Sequence, residues 1–255
     1  MTVTLETLPS ELFLLLLVFA RLGATVMLLP VYGEPSVNPR ARLAIALCLT
    51  LLVTPVVRTS LPAIPAGWPG AMGLLVGEVL VGLAVGGLIR LFMAALHVAG
   101  SVIAMQTGLA FSMTFDPTQG TQSVMIATFL SLLAVALILA TDLHHPLLAA
   151  AAESYRVFPA GAALPIADIS GVAARWFADA FLLGLTLSFP FLVFGFTFYL
   201  AMGVLAKLMP QLQIFFLVQP VNIAMGYAIL AVVLSGLMLA FLNAFGERLD
   251  ALMGR

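Results

Sequence analysis

The sequence predicts an all-α membrane protein with about six long, partly kinked hydrophobic helices, and three observations support this fold class. Of the 255 residues, 63% are hydrophobic and only 8% are charged, whereas a soluble domain carries about 25% charged residues. The mean hydropathy is +1.18. The hydrophobic residues form long continuous runs, unlike the short alternating segments of a transmembrane barrel. The solvent of this chain is therefore predicted to be largely lipid or other protein.

Six runs are candidates for membrane spans, which need roughly 20 apolar residues to cross about 30 Å of hydrocarbon. They lie at residues 12–31, 43–57, 72–98, 124–152, 172–206 and 212–245. The first contains Arg21 and ends near Pro30. Because its flanks lack the basic region and cleavage pattern of a signal peptide, we expect a retained helix. The second is short and needs its flanks to reach across.

The last two runs are too long for simple spans. At 1.5 Å per residue, the sixth would extend roughly 50 Å, so it must tilt, bend or leave the bilayer. Pro190 and Pro220 lie inside these runs and favour kinks. Only the short segment at 206–213, which includes the adjoining ends of both runs, connects them. This predicts a tight antiparallel hairpin that packs against other subunits.

Glycines recur in the third run at a spacing that allows helix backbones to approach closely. Gly73 and Gly77 are four residues apart, and so are Gly82 and Gly86. Such small-xxx-small spacing is typical of packed membrane helices, although a chain with 21 glycines contains some pairs by chance. We interpret these four glycines as one packed helix face.

Four ionisable residues lie in or beside the apolar runs: Arg21, Glu78, Arg90 and Asp142. A lone charge in hydrocarbon is costly, so each should face protein, water or the membrane interface. We predict Arg21, Glu78 and Arg90 to be buried, paired charges that join helices or subunits, and a proton or ion pathway is the alternative. Asp142, beside two histidines, is predicted to mark the wet end of the fourth helix.

Composition and motifs exclude several function classes. The net charge is −1, without the clustered Lys and Arg that nucleic-acid binding needs. The chain has no glycine-rich phosphate loop, nucleophile elbow or metalloprotease-type helix motif, so we predict no enzyme activity, no cofactor and no metal. The single cysteine, Cys48, rules out an internal disulfide and is interpreted as a small buried side chain.

The connection at residues 105–122, MQTGLAFSMTFDPTQGTQ, is unusual because it carries only one charge and mixes Met and Phe with Gly, Gln, Thr and Ser. Met and Phe can pack closely without fixed partners, and glycines provide swivel points. The residues alone leave two interpretations equally open. One is a segment that closes a pore, and the other is an ordinary loop that rests at the membrane surface.

Several short segments, in this order, resemble the FliR/SctT family of type III export proteins. The first is RLGATVMLLPVYGEPSVNPRARLAIALCLTLLVTP at 21–55. It is followed by GE at 77–78, AG at 99–100, Q-x-G at 106–108, DP at 116–117 and MPQLQIFF at 209–216 with Pro220. The chain departs from the family's frequent Gly-x-Pro by having Val218 and Gln219 before Pro220. The resemblance extends over nearly the whole chain.

The resemblance implies a subunit of the flagellar type III export gate in the bacterial inner membrane, at the flagellar basal body. Such a subunit forms a helical pore with FliP-like and FliQ-like chains, beside FlhB-like and FlhA-like subunits, and unfolded flagellar proteins pass through it. The chain would comprise a FliP-like part at 1–171 and a FliQ-like hairpin at 172–255. An injectisome export-gate subunit is the alternative, and a stand-alone transporter or a scaffold without a pore is less favoured.

The resemblance also implies roles for two sets of residues. The connection at 105–122 would be a plug that closes the pore. The plug residues are Met105, Gln106, Gly108, Phe111, Met113, Phe115, Asp116, Pro117 and Gly120. Lys207, Pro210 and Gln211 would form the hairpin tip near the cytoplasmic entrance.

Overall fold

The computed structural model describes residues 8–62, 65, 67–109, 122–162, 166–211 and 214–253. Within these residues the chain is all-α, as predicted, with seven helices and no strand. The helices are α1 (Leu8–Leu28), α2 (Pro39–Val57), α3 (Trp68–Gln106), α4 (Gln122–Ala140), α5 (His144–Val157), α6 (Ile166–Leu208) and α7 (Ile214–Met253). A 3₁₀ turn at Arg58–Ser60 follows α2.

The predicted number of about six apolar spans is confirmed. Five helices (α1, α2, α3, α6 and α7) are long and apolar enough to cross a membrane, and the bent pair of α4 and α5 provides a sixth candidate. The second span is longer than the run at 43–57 because it begins at Pro39. The side chain of Asn38 accepts a hydrogen bond from the backbone N–H of Arg40 at 2.9 Å, which caps the new N-terminus.

The prediction of one continuous fourth span at 124–152 was wrong. Helix α4 ends at Ala140, α5 begins at His144, and the two are bent by 84°. Asp142 has a φ of 59°, which an α-helix cannot contain and which Asp tolerates better than most residues. Pro146 stands in the first turn of α5, where its missing N–H costs nothing. The Asp142 side chain is 80% exposed, in keeping with a wet helix end.

Helices α6 and α7 are longer than the runs that predicted them. They contain 43 and 40 residues and extend about 65 and 60 Å. Each continues through its internal proline, Pro190 in α6 and Pro220 in α7. Both helices exceed the roughly 30 Å thickness of bilayer hydrocarbon.

The chain contains two compact units. The first comprises Met1–Leu91, Ile138–Trp176 and Gly246–Arg255, and the second comprises Phe92–Leu137 and Phe177–Phe245. Four helices, α3, α4, α6 and α7, each contribute residues to both units. The predicted division between 171 and 172 separates a FliP-like part from a FliQ-like part. It concerns similarity to other proteins and not compactness, so it stays a prediction.

The core of the first unit joins α1, α2 and α5. It comprises the buried side chains of Val18, Leu22, Val53, Val57, Ala151 and Tyr155. The buried residues of α2 recur at Ala46, Thr50, Val53 and Val57 along one side of the helix. Cys48 is exposed, so the interpretation of it as a buried side chain was wrong. Its position on α2 falls outside the face that the core covers.

In the second unit, aromatic side chains and glycines bring the helices together. The ring of Phe92 lies 6.3 Å from that of Phe241 and 6.2 Å from that of Phe245, which joins α3 to α7. Gly100 of α3 lies directly against the backbone of Ala127 in α4. Glycine at such a crossing permits the close backbone contact that stabilises membrane helix pairs.

Candidate functional site

An ion pair between Arg21 of α1 and Glu78 of α3 lies in the interior of the first unit. Arg21 Nε and Glu78 Oε2 are 2.6 Å apart, and the two side chains are 1% and 2% exposed. Both residues had been predicted as buried charges. Burial of a pair is more tolerable when the remaining polar atoms are also hydrogen-bonded. Neighbouring backbone groups bond Arg21 Nη1 and Glu78 Oε1, whereas Arg21 Nη2 is buried without a hydrogen-bond partner among the described residues.

Backbone groups from the end of α5 and the turn beyond it also contact the ion pair. Arg21 Nη1 donates to the carbonyl oxygens of Ser154 at 3.3 Å and Phe158 at 2.7 Å. The backbone N–H of Gly161 donates to Glu78 Oε1 at 3.3 Å. The guanidinium carbon lies 4.0 Å from the ring centroid of Tyr155, a cation–π contact. We call this set the ion-pair junction.

The ion-pair junction is suited to joining helices. Each carboxylate oxygen of Glu78 accepts a hydrogen bond within the protein, and the side chain is almost fully buried. A carrier needs a group that a solute or proton can reach and leave. The arrangement therefore favours paired structural charges over the ion pathway that the sequence left open.

The four glycines of α3 do not share one environment. Gly82 lies directly against the backbone oxygen of Arg21, and a Cβ on Gly86 would lie 2.8 Å from the backbone oxygen of Thr25, so both contact α1. Apart from the chain neighbours and the backbone of α3 itself, no atom of the described residues lies within 4 Å of a Cβ placed on Gly73 or Gly77. For Gly73 and Gly77, the interpretation as part of a packed helix face stays a prediction.

Arg90 corrects another expectation. It was predicted to be a buried charge, but its side chain is exposed, and the described residues provide no ion-pair partner for it. The buried face of this part of α3 carries Glu78, Val81 and Val85. At 100° per residue, Arg90 falls on the opposite face. The helix period therefore turns it away from the ion-pair junction.

The last residues of α3 and the turn after it meet α7 through two amide side chains. Gln219 Nε2 donates to the backbone oxygen of Gly108 at 2.9 Å, and Asn222 Nδ2 donates to that of Gln106 at 3.4 Å. We call residues 105–109 the foot, because they lead into the rest of the predicted plug. Gly108 has a φ of +74°, a conformation suited to glycine.

Three glycines, one in the foot and two in the hairpin, allow the foot to contact α6 and α7 closely. A Cβ on Gly108 would collide with the side-chain amide of Gln219. A Cβ on Gly195 would collide with the side-chain oxygen of Gln106. A Cβ on Gly226 would collide with the methyl group of Thr107. A cavity of about 610 Å³ adjoins the foot. It is lined by Gln106, Leu192, Phe196, Tyr199 and Leu200. The foot is thus seated between α6 and α7.

Only part of the predicted plug can be located. Met105 is exposed, Gln106 is half-buried and Gly108 is buried. The other predicted plug residues, Phe111, Met113, Phe115, Asp116, Pro117 and Gly120, lie outside the described residues. The three predicted tip residues, Lys207, Pro210 and Gln211, are all exposed at and beyond the C-terminal end of α6.

One cluster of potential metal ligands occurs among the described residues. Ligand atoms of Asp142, His144 and His145 lie within 4.8 Å of one another. The Asp142 and His145 side chains are 80% and 69% exposed. The cluster stands at the N-terminus of α5, where the helix dipole opposes a cation. The geometry therefore assigns no metal to it.

Sequence reasoning missed Gln219, Asn222 and Tyr155. Gln219 and Asn222 are amides inside an apolar run, and that polarity was the available signal. Tyr155 carried no comparable signal, because an aromatic residue near a helix end is common. Tyr155 and Arg21 are 134 positions apart in the sequence, so their contact depends on the fold.

Comparison with known proteins gives consistent matches along the chain. Residues 12–248 match the family described as "Bacterial export proteins, family 1". The chain is 40% identical to the flagellar biosynthetic protein FliR of Caulobacter vibrioides, over 94% of this chain and 96% of that protein. It is 32% identical to the protein of that name from Pectobacterium carotovorum, over 91% and 86% of the two chains. For the Bacillus subtilis protein the identity is 28%, over 93% and 92%.

These matches cover almost the full length of both partners in each comparison, and the apolar helices of the structure fit a multi-pass membrane protein. The relatives are flagellar biosynthetic proteins, which are not a known class of enzyme. The chain belongs to the FliR family of bacterial export proteins.

Proposed function

We propose that this protein is a subunit of the flagellar type III export gate in the bacterial inner membrane. In this proposal it forms, with FliP-like and FliQ-like chains, the gated pore through which unfolded flagellar proteins leave the cytoplasm. FlhB-like and FlhA-like subunits are further expected partners. Family membership supports the export role, and the exposed surface of α6 supports assembly with other chains.

The length of that apolar surface is the observation that carries the proposal. Large hydrophobic side chains are exposed on α6 from Phe177 to Leu208, a distance of about 47 Å along the helix. A layer of about 30 Å of hydrocarbon could cover it only if the helix tilted by about 50°. Membrane helices tilt by about 0–40°. Other protein chains are therefore the natural cover for part of α6.

The division into a FliP-like part at 1–171 and a FliQ-like hairpin at 172–255 belongs to the same proposal. Helices α6 and α7 are joined by only five residues, 209–213. Such a hairpin can lie beside similar hairpins from FliQ-like chains. Its exposed tip, with Lys207, Pro210 and Gln211, would face the cytoplasmic entrance.

Residues 105–122 are proposed to be the plug of this pore. The foot supports the proposal because it fixes one end of the segment on α7 through Gln219 and Asn222. Beyond the foot, the segment contains Phe, Met and Gly. Apolar side chains in a constriction can exclude water and ions by dewetting, and flexible ones can yield to passing chains of many sequences.

Co-purification tests the assembly. The chain should be expressed with the FliP-like and FliQ-like proteins of its own genome and extracted in mild detergent, and the mass of the complex should be measured. One copy of this chain in a stable particle with both partners is the expected result. A chain that purifies alone, under conditions in which the two partners still assemble, would contradict the proposal.

Deletion of residues 111–119 tests the plug while leaving the foot intact. We expect the assembled gate to leak ions or small solutes, measured as dye or proton influx into vesicles or cells. Met125→Ser and Leu132→Ser serve as matched controls, because they remove exposed apolar side chains from α4 without touching the segment. An assembled deletion variant as tight as the wild type would refute the plug.

The injectisome alternative is less favoured because the relatives compared above are flagellar proteins. Genetic complementation distinguishes the two systems. Expression of this gene should restore motility to a strain of its own species that lacks it. Restored effector secretion without restored motility would favour the injectisome instead.

A further inference from the structure

The C-terminal end of α3 is capped by side chains of another helix. The last carbonyl groups of an α-helix lack partners within the helix. At the end of α3, the backbone oxygen of Ile103 accepts from Thr107 N–H at 2.9 Å, and that of Met105 accepts from Gly108 N–H at 3.3 Å. The oxygens of Gln106 and Gly108 instead accept from the amides of α7. The last carbonyl group of α3, that of Gln106, and the carbonyl group of Gly108 in the following turn thus depend on α7.

The three contacting residues of α7 share one face. Gln219, Asn222 and Gly226 are spaced at i, i+3 and i+7, which aligns them along a helix. Gln219 and Asn222 supply donors, and Gly226 leaves space for Thr107. The foot therefore lies along this face, and a shift of α7 along its axis would move both amides relative to the foot.

The side chain of Asn222 indicates that the contact between α7 and the foot involves more than close packing. Its side chain is fully buried, and its Oδ1 atom has no hydrogen-bond donor among the described residues. An unpaired buried acceptor is unfavourable, so a leucine of similar size would suit an apolar interior better. The donor Nδ2, bound to the Gln106 oxygen, is the feature that leucine would lack.

We infer that Gln219 and Asn222 are positioning residues that hold the foot on the hairpin, so that displacement of α7 exposes the foot. This inference rests on the proposed plug. Each contact is a neutral amide bonded to a backbone oxygen, with distances of 2.9 and 3.4 Å. Such bonds are individually weak, and they can therefore break and re-form without unfolding the unit.

The test measures exposure of the foot directly. Cys48, the single native cysteine, is first replaced by alanine, and Thr107, which is 2% exposed, is changed to cysteine. Labelling by N-ethylmaleimide is then followed in membranes that contain the co-expressed gate subunits. Gln219→Met and Asn222→Leu remove the donors but nearly keep the side-chain volumes. Each should raise the labelling rate about five-fold, since one average hydrogen bond corresponds to roughly that factor in a local opening equilibrium.

Two further variants separate positioning from general loosening. Gln219→His keeps an N–H donor at a similar distance and should restore slow labelling. Ser188→Cys, at a fully buried position of α6 in the same unit, should stay protected in every background. Unchanged labelling at 107 in the Met and Leu variants would overturn the inference, and so would equal increases at 107 and 188 or a failure of histidine to restore protection.

The labelling result is independent of the leak measured for the deletion of 111–119. A deletion that does not leak refutes the plug even if Gln219 and Asn222 hold the foot as inferred. A deletion that leaks, together with unchanged labelling in the Gln219 and Asn222 variants, leaves the plug standing and refutes these two residues as its holders.

Discussion

Two polar junctions involve the same long helix, α3, but use opposite chemistry. The ion-pair junction of the first unit buries two full charges, which are joined by a 2.6 Å contact and supported by three backbone groups and the Tyr155 ring. The junction at the foot, in the second unit, uses two neutral amides on backbone oxygens. Removing one partner from a buried ion pair leaves an uncompensated charge, whereas losing an amide bond costs far less.

This difference indicates that the two junctions have different roles. A junction that is expensive to break fixes α1, α3 and α5 in one arrangement. A junction whose bonds are each worth about 1 kcal/mol can open during a working cycle. The same helix can therefore be held rigidly in one unit and released at its end in the other.

The largest expected effect is the loss of one charge from the ion-pair junction. Arg21→Met should destabilise the protein by about 3–5 kcal/mol, because Glu78 would remain buried without its partner. The double variant Arg21→Met, Glu78→Met should recover much of this loss, since neither charge remains. Thermal unfolding in detergent and membrane yield measure both effects.

The exposed ion pair of Glu153 and Arg156, with side chains 35% and 64% exposed, provides a control. Glu153→Gln should change stability by no more than about 1 kcal/mol. A Glu153→Gln effect equal to that of Arg21→Met, or a double variant no better than the single one, would contradict the contrast between the two junctions.

A smaller effect is expected from the glycines of α3. Gly82→Leu places its Cβ against the backbone oxygen of Arg21 and should cost about 1–3 kcal/mol through overpacking. Gly77→Leu should be within about 0.5 kcal/mol of the wild type in the isolated chain, because the Cβ position of Gly77 meets no described residue beyond its chain neighbours and the backbone of α3. Unfolding temperatures of the purified chain compare them.

The same two variants sharpen the interpretation of the open glycines when they are measured in the assembled gate. If Gly77→Leu lowers the yield of the complex but not the stability of the chain, Gly77 packs against a partner. Equal destabilisation of the isolated chain by both variants would show that α3 does not pack on α1 as described.

The smallest effects compare two glycines with almost the same backbone angle. Gly161, which donates to Glu78, has a φ of 75°, and Gly108 has a φ of 74°. Alanine at either position should cost about 1–2 kcal/mol in backbone strain. Only Gly108→Ala also displaces the amide of Gln219. Only that variant should accelerate maleimide labelling of Thr107→Cys, and acceleration by Gly161→Ala as well would remove the distinction between the junctions.

The sequence predicted most of the fold because the strongest physical term is local and compositional. A continuous apolar run can satisfy its backbone in lipid only as a helix, so the helix class and about six spans followed directly. The break at Asp142 was missed, although Pro146 inside the predicted run was a usable signal. Arg90 was misassigned because hydropathy indicates that a charge is unusual in a helix but does not show which way it faces.

The candidate site was less accessible to prediction. The sequence indicated Arg21 and Glu78, and the resemblance indicated the segment at 105–122. Neither indicated Gln219 or Asn222, because an amide in an apolar helix can face a partner helix, a lumen or another subunit. Their hydrogen bonds bring together residues 111 and 116 positions apart.

By itself, the sequence determined that this protein is surrounded largely by apolar surfaces, that its backbone is helical and that a few charges must be paired. These properties follow from the composition of each segment and its free energy of transfer from water. Only the tertiary structure decided that Arg21 reaches Ser154, 133 positions away, that Gly82 packs while Gly77 stays open, and that α7 caps α3. These contacts depend on how distant helices cross, and the helix period alone leaves that choice undetermined.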